Sequence, residues 1–231
     1  MPLKDRKVIV TGGPTVESLD PVRFISNRST GKMGRALADE TARRAGETVF
    51  VHGPMHESLL EDAGYRMVSV ESTEDLLEAV RNELTPNAVL IMAAAPADYR
   101  PVERSARKIK KKSDEMTLRL VKNPDILKTV ASIRQSNFSM KSVFLVGFAA
   151  ETDDIEGYAL GKLREKDLDM ICVNDVGRRD AGFGVDTNIV TIFTKPGERI
   201  ELPLLSKHDT AARILDIVEE GLSKKTEKYL T

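Results

Sequence analysis

The stretch VRFISNRSTGKMG, Val22 to Gly34, gathers three residues able to grip an anion, Arg23, Arg28 and Lys32, around an amide, Asn27. Two glycines three apart, Gly31 and Gly34, end it. The spacing predicts a loop, Thr30-Gly31, that opens a helix at KMGRAL. The unpaired N–H groups and positive dipole end of that helix suit a phosphate or carboxylate. The other reading of Gly31 and Gly34 is helix entry and tight packing of helix on sheet. A P-loop is excluded, because GKMG lacks the upstream glycine and the Ser or Thr after the lysine.

Two carboxylates could meet a cation. Asp98 follows the apolar AAAPA end of a strand, and Asp125 falls in the first turn of NPDIL. A nucleoside triphosphate brings Mg2+, which takes one or two carboxylates plus phosphate oxygens. The bland alternatives are a turn residue for Asp98 and a helix-dipole charge for Asp125. Lys162 and Lys166, four apart, share a helix face that could meet a phosphate chain or only solvent. A rival chemistry is hydride transfer, since VIVTGG opens like a dinucleotide strand and Tyr158 and Lys162 have reductase spacing. Against it, Pro14, Thr15, Val16 and Glu17 stand where a dinucleotide turn needs glycines.

The elements that must position these residues are legible. Apolar runs KVIVTGG, ETVFVHG, YRMVSV, AVLIMAAA, SVFLVGFAA and LDMICVND read as strands. Helical patterns separate most of them: GKMGRALADETARRAG, STEDLLEAVRNEL with Ser72 or Thr73 as cap, and NPDILKTVASIRQ with Asn123 as cap and Pro124 first in the helix. The alternation predicts an α/β fold, a Rossmann-like, mostly parallel sheet with helices on both faces. NIVTIFT and ERIELPLL around KPG add a C-terminal β-hairpin, and HDTAARILDIVEEGL a final helix. Ligands in such sheets sit beyond the carboxyl ends of the strands, here TGGPT, AAAPADYRP, GFAAET and VNDV. Residues 103–115, ERSARKIKKKSDE, are nearly all charged, and read as a solvated loop or as a flap closing over something negative.

The 231 residues fit one domain, with no internal repeat or linker. Thirty-five basic against 36 acidic residues leave a net charge of −1, which gives no whole-surface field for nucleic acid or anionic membrane. The longest apolar run, Ala88 to Ala97, is too short to cross a bilayer. MPLKDRK lacks a secretory signal's apolar stretch, so a cytoplasmic location is expected. The single cysteine, Cys172, in an apolar run, excludes an internal disulfide and a cysteine-cluster zinc site.

Together, TGGPTVESLDPVRFISNRSTGKMG, AAAPADYRP, KIKK, LVKNPDIL, VGFAAET and DMICVNDV resemble, in order, the phosphopantothenate–cysteine ligase family of coenzyme A biosynthesis, also called phosphopantothenoylcysteine synthetase. The resemblance implies a single ligase domain over residues 1–231 that joins 4′-phosphopantothenate to cysteine. CTP, preferred over ATP, would be cleaved to a nucleoside monophosphate and pyrophosphate through an acyl-nucleotidylate. By position, it implies that Asn27 handles the acyl intermediate, that Lys108 on the flap assists activation, and that Arg23, Asn27 and Ala95 meet phosphopantothenate. Asp98, Lys108, Asn123, Pro124, Asp125, Ile126, Phe148, Lys162 and Lys166 would bind the nucleotide, with Asp98 and Asp125 toward Mg2+. It also implies a homodimer whose flap reaches the neighbouring site. Because the chain starts at the ligase strand, the resemblance is to the stand-alone form, without flavin. Gly12, Thr30 and Pro96 depart from the family pattern, and Pro96 bears on base preference.

Overall fold

The computed structural model describes residues 2–110, 114–151, 155–175 and 184–230. The strands are β1 Lys7–Gly12, β2 Val16–Ser18, β3 Phe24–Ser26, β4 Glu47–His52, β5 Arg66–Ser69, β6 Val89–Met92 and β7 Tyr99–Pro101. They continue as β8 Leu120–Lys122, β9 Phe144–Glu151, β10 Met170–Asp175, β11 Thr187–Asn188, β12 Val190–Thr194, β13 Arg199–Glu201 and β14 Leu205–Ser206. The helices are α1 Lys32–Ala42, α2 Thr73–Glu83, α3 Ile126–Ser136, α4 Ile155–Glu165 and α5 Lys207–Leu230.

Among the described residues the main sheet runs β13-β12-β10-β9-β6-β1-β4-β5. All pairings from β10 to β5 are parallel, and the β12–β13 hairpin adds the antiparallel edge. Its parallel strands are apolar throughout because both faces are covered. Val8, Val10, Ile91, Val146 and Cys172 pack with α1 and α5, while Ile9, Leu90, Leu145 and Val173 pack with α2, α3 and α4. The chain first builds outward from β1 through β4 and β5, then returns to β6 on the other side. The carbonyl ends of β1 and β6 therefore form the topological switch, where an open α/β sheet offers a crevice.

Local chemistry sets the helix starts. Ser72 caps α2 in a reciprocal capping box with Asp75. Gly31 caps α1 at φ 79°, a left-handed geometry that glycine adopts without strain. Gly34 lets α1 lie on β1, because a Cβ there would stand 2.6 Å from the Gly12 Cα and 2.8 Å from the Thr11 carbonyl. Helix entry and close packing are thus the roles these glycines fill. Helix α3 corrects the sequence expectation: its cap is Asp125, whose carboxylate accepts the Lys128 N–H, and not Asn123. The Asn123 amide is committed elsewhere, as described below.

Three small two-stranded ribbons were not foreseen. β2 pairs with β3, β7 with β8, and β11 with β14, all antiparallel. Cys172 is fully buried, and burial pushes its thiol far above its ordinary value, so it packs as a small hydrophobe. No helix among the described residues is long and apolar enough to cross a membrane.

Candidate active site

Past the switch, the loop Ala93–Asp98 is bound on every side. The Ala94 N–H donates to Thr11 Oγ1 at 3.0 Å, the Ala95 N–H to the Gly13 carbonyl at 2.9 Å, and the Ala97 N–H to Thr15 Oγ1 at 2.8 Å. Exposed Asn27 reaches over from β3, its Nδ2 donating to the Ala95 carbonyl at 3.1 Å and the Pro96 carbonyl at 2.9 Å. Both amide hydrogens are thereby used, so Asn27 holds this loop directly and reaches an oxyanion only by exchanging a partner. The small residues here also serve the chain's own close approach. A Cβ on Gly53 would collide with the Pro14 carbonyl, and one on Gly31 would meet Met55.

The same loop is held from its other end by a buried polar cluster. Asn123, 6% exposed, donates from Nδ2 to the Ala97 carbonyl at 2.8 Å and to Glu17 Oε1 at 2.9 Å. Glu17, 5% exposed, also accepts the Thr73 N–H at the start of α2 at 3.0 Å. The Asn123 N–H meets the Asp98 carbonyl at 2.8 Å, and its Oδ1 accepts from Arg100 at 3.0 Å. The turn Asn123–Ile126 is therefore fixed against the Ala95 loop. Ile126 is core, so it presents only backbone to a ligand, and Pro124 is half-buried.

The remaining sequence-derived residues divide. Phe148 is half-buried on β9, Lys162 is half-buried on α4, and Asp98 and Lys108 are exposed. Lys166 stands one residue beyond α4 and does not share the helix with Lys162 as expected; it ion-pairs with Asp125 at 2.9 Å. Burial works to raise the Asp125 carboxyl, but the hydrogen bonds from Lys166 and the Lys128 N–H hold it below its ordinary value. Arg23, expected to face substrate, is bound to Asp20 at 2.6 Å. Lys32, expected at an anion, is bound to Asp186 at 2.6 Å. Of the flap, residues 111–113 lie outside the described residues; so do Thr152 and Val176 of the two later strand-end motifs.

A Mg2+ ion fits only part of the expected donor set. Asp98 offers an exposed carboxylate, whereas Asp125 is already helix cap and lysine partner. Among the described residues no three His, Cys, Asp or Glu side chains are grouped to hold a metal. That donor set suits an ion that arrives on phosphate oxygens. A cavity of ≈ 700 Å³, lined by Phe144, Met170 and Lys225, lies at the opposite edge, by the starts of β9 and β10.

Glu17, Asp20, Thr15 and Thr73 were missed as site residues. Asp20-Pro21 was a readable turn signal. Glu17 had been weighed only as an obstacle to a pyrophosphate, and its partners come from two distant segments.

The family profile described as DNA/pantothenate metabolism flavoprotein C-terminal domain matches residues 3–222. The chain is 44% identical over 226 residues to the coenzyme A biosynthesis bifunctional protein CoaBC of Bacillus subtilis (strain 168), covering 97% of this chain and 53% of that protein. It is 38% identical to the protein of that name from Escherichia coli (strain K12), covering 98% and 54%. The chain thus spans about half the length of these relatives. The crystal structure of the C-terminal domain of a CoaBC protein is 39% identical with TM-score 0.76, covering 96% of this chain and 98% of that one. A Cab2 mutant in complex with phosphopantothenate-cysteine shares the fold at 15% identity and TM-score 0.72, covering 97% and 89%.

Proposed function

Because the chain belongs to the DNA/pantothenate metabolism flavoprotein C-terminal domain family, we propose that it joins 4′-phosphopantothenate to cysteine at the expense of CTP. A carboxylate is a poor electrophile, since its leaving group would be an oxide. Attack of the substrate carboxylate on the α-phosphorus expels pyrophosphate and converts that oxide into a nucleotide leaving group. The cysteine amine then adds to the acyl carbon, CMP leaves, and the amine's proton passes to solvent or base. Little covalent chemistry falls to the protein, so positioning and charge neutralisation carry the rate.

The observation that carries this reading is the Ala93–Asp98 loop held at the β1–β6 switch between Asn27 and Asn123. One side of that loop faces the Asn27 segment, where the acid would sit with Arg23 and Ala95. The other faces the Asn123–Ile126 turn, Phe148 and Lys162, where the nucleotide would sit. Lys108 would neutralise phosphate charge from the flap, and Lys166 would do so after exchanging Asp125. Mg2+, held by Asp98 and the phosphates, would offset the charge released with pyrophosphate. No step uses a flavin.

A homodimer fits the exposed apolar side chains on two adjoining ribbons. Val22 and Phe24 flank β3, and Tyr99, Val102, Leu120 and Val121 line β7 and β8. The test is pyrophosphate release from CTP and from ATP, each with phosphopantothenate, cysteine and Mg2+. We expect turnover with both acid and nucleotide present and a higher kcat/KM for CTP. No turnover with either nucleotide would sink the reading.

A further inference from the structure

The flap and the Arg23 loop are joined by one buried carboxylate. Asp20 is 2% exposed. Its Oδ1 makes a local turn, accepting the N–H groups of Val22 at 2.8 Å and Arg23 at 2.9 Å. Its Oδ2 does something else: it accepts Arg23 Nε at 3.1 Å, Arg23 Nη2 at 2.6 Å, and the Ile109 N–H at 3.0 Å from far along the chain. Arg23 Nη2 also donates to the Ile109 carbonyl at 2.9 Å, which closes a ring of three residues. A second tie lies beside it, the Ser105 N–H on the Leu19 carbonyl at 2.9 Å. Ile109 directly follows Lys108, and both neighbouring lysines, Lys108 and Lys110, are exposed. A local turn needs only the first oxygen, and nothing in it calls for the second to reach the flap.

We propose that Asp20 is a positioning residue that latches the flap to Arg23, so that Arg23 and Lys108 are presented to the reaction as one unit. The role in catalysis rests on the ligase reading above; the latch itself does not. The Arg23 guanidinium holds the Asp20 carboxyl far below the usual carboxylate range. A carboxyl lowered in this way stays ionised until the pH falls through its folded value, so the latch is built to persist and not to switch near neutrality.

The Asp20→Asn replacement separates the two oxygens. Its amide oxygen can keep the turn, but its NH2 must then face the donors of Arg23 and Ile109. Trypsin reads the latch without reference to activity, by cleavage after Arg107, Lys108 or Lys110. In Asp20→Asn we expect that cleavage to quicken about tenfold, and pyrophosphate release to slow about tenfold or more with a higher KM for phosphopantothenate. The KM for CTP should stay within about twofold. In a Lys108→Gln background, Asp20→Asn should cost less than about twofold further, because the two act together. Flap cleavage at the wild-type rate overturns the latch. A wild-type rate of pyrophosphate release, or full multiplication with Lys108→Gln, overturns the positioning role. Should Asp20→Asn fail to fold, Ile109→Pro removes only the flap donor and is expected to shift both readouts the same way. If the wild type itself released no pyrophosphate while the trypsin contrast held, the ligase reading would fail and the latch would stand.

Discussion

Asn27 and Glu17 show how amide and carboxylate divide the work at the switch. Asn27 is exposed and holds the Ala95 and Pro96 carbonyls, so its loss frees the loop that would support the acyl group. Asn27→Ala is expected to spend CTP and accumulate the acyl-cytidylate without passing it to cysteine, as mass spectrometry of quenched reactions would read; product at the wild-type rate would contradict that role. Lys108→Gln should instead be slow at pyrophosphate release itself. Glu17 is buried and supports Asn123 and the first turn of α2. Glu17→Ala strands both donors and should cost about 1–3 kcal/mol in urea unfolding, whereas Glu17→Gln keeps an acceptor and should cost less than about 1 kcal/mol. Equal losses in the two variants would remove the hydrogen-bond account. The sequence showed which residue types lie here but not their partners. Arg23, Lys32 and Asp125 looked like ligand-binding charges, yet each meets an ion-pair partner in the fold. Lys32 finds Asp186 more than 150 residues away, and no local pattern announces such a pairing.

Elements were the most legible level. Runs buried on two faces read as parallel strands, and Ser72 announced α2, because both signals are local. The start of α3 was misread because Asn123, a good cap by type, is claimed by Glu17 and Ala97. The short ribbons escaped because three-residue strands carry too little alternation to stand out. Gly34 tests the packing of α1 on β1. Gly34→Ala places a methyl into the Gly12 backbone and should destabilise by about 1–3 kcal/mol despite better helix propensity; an unchanged midpoint would show that the helix can retreat freely. The start of α5 carries a pH signature. Burial, with Lys32 adding to it, lowers Lys207 to about 8 from 10.5, while Asp186 opposes. Between those values the unfolded chain binds the proton more fully, so stability should rise with pH across the window, by up to about 3 kcal/mol. Lys207→Met should lack that rise in urea melts from about pH 8 to about pH 10; the same slope in both proteins would reject the assignment.

The whole molecule is organised by strand order, which the sequence could imply as a class but not spell out, since pairing is non-local. That order puts the Asn27 segment, the Ala93–Asp98 loop and the Asn123 turn beside one crevice. It also leaves the β2–β3 and β7–β8 ribbons exposed with apolar side chains, so Phe24→Glu should shift a dimer toward monomer in sedimentation and slow pyrophosphate release with it. A monomeric wild type at working concentration would contradict that assembly. The central claim is that an acid is made reactive by transfer of a nucleotidyl group onto its own oxygen. Phosphopantothenate labelled with 18O in both carboxylate oxygens tests it most directly, with CTP, cysteine and Mg2+ present and the products weighed. The account predicts one label in CMP, one retained in the amide and none in pyrophosphate. CMP without label, or label in pyrophosphate, would contradict it.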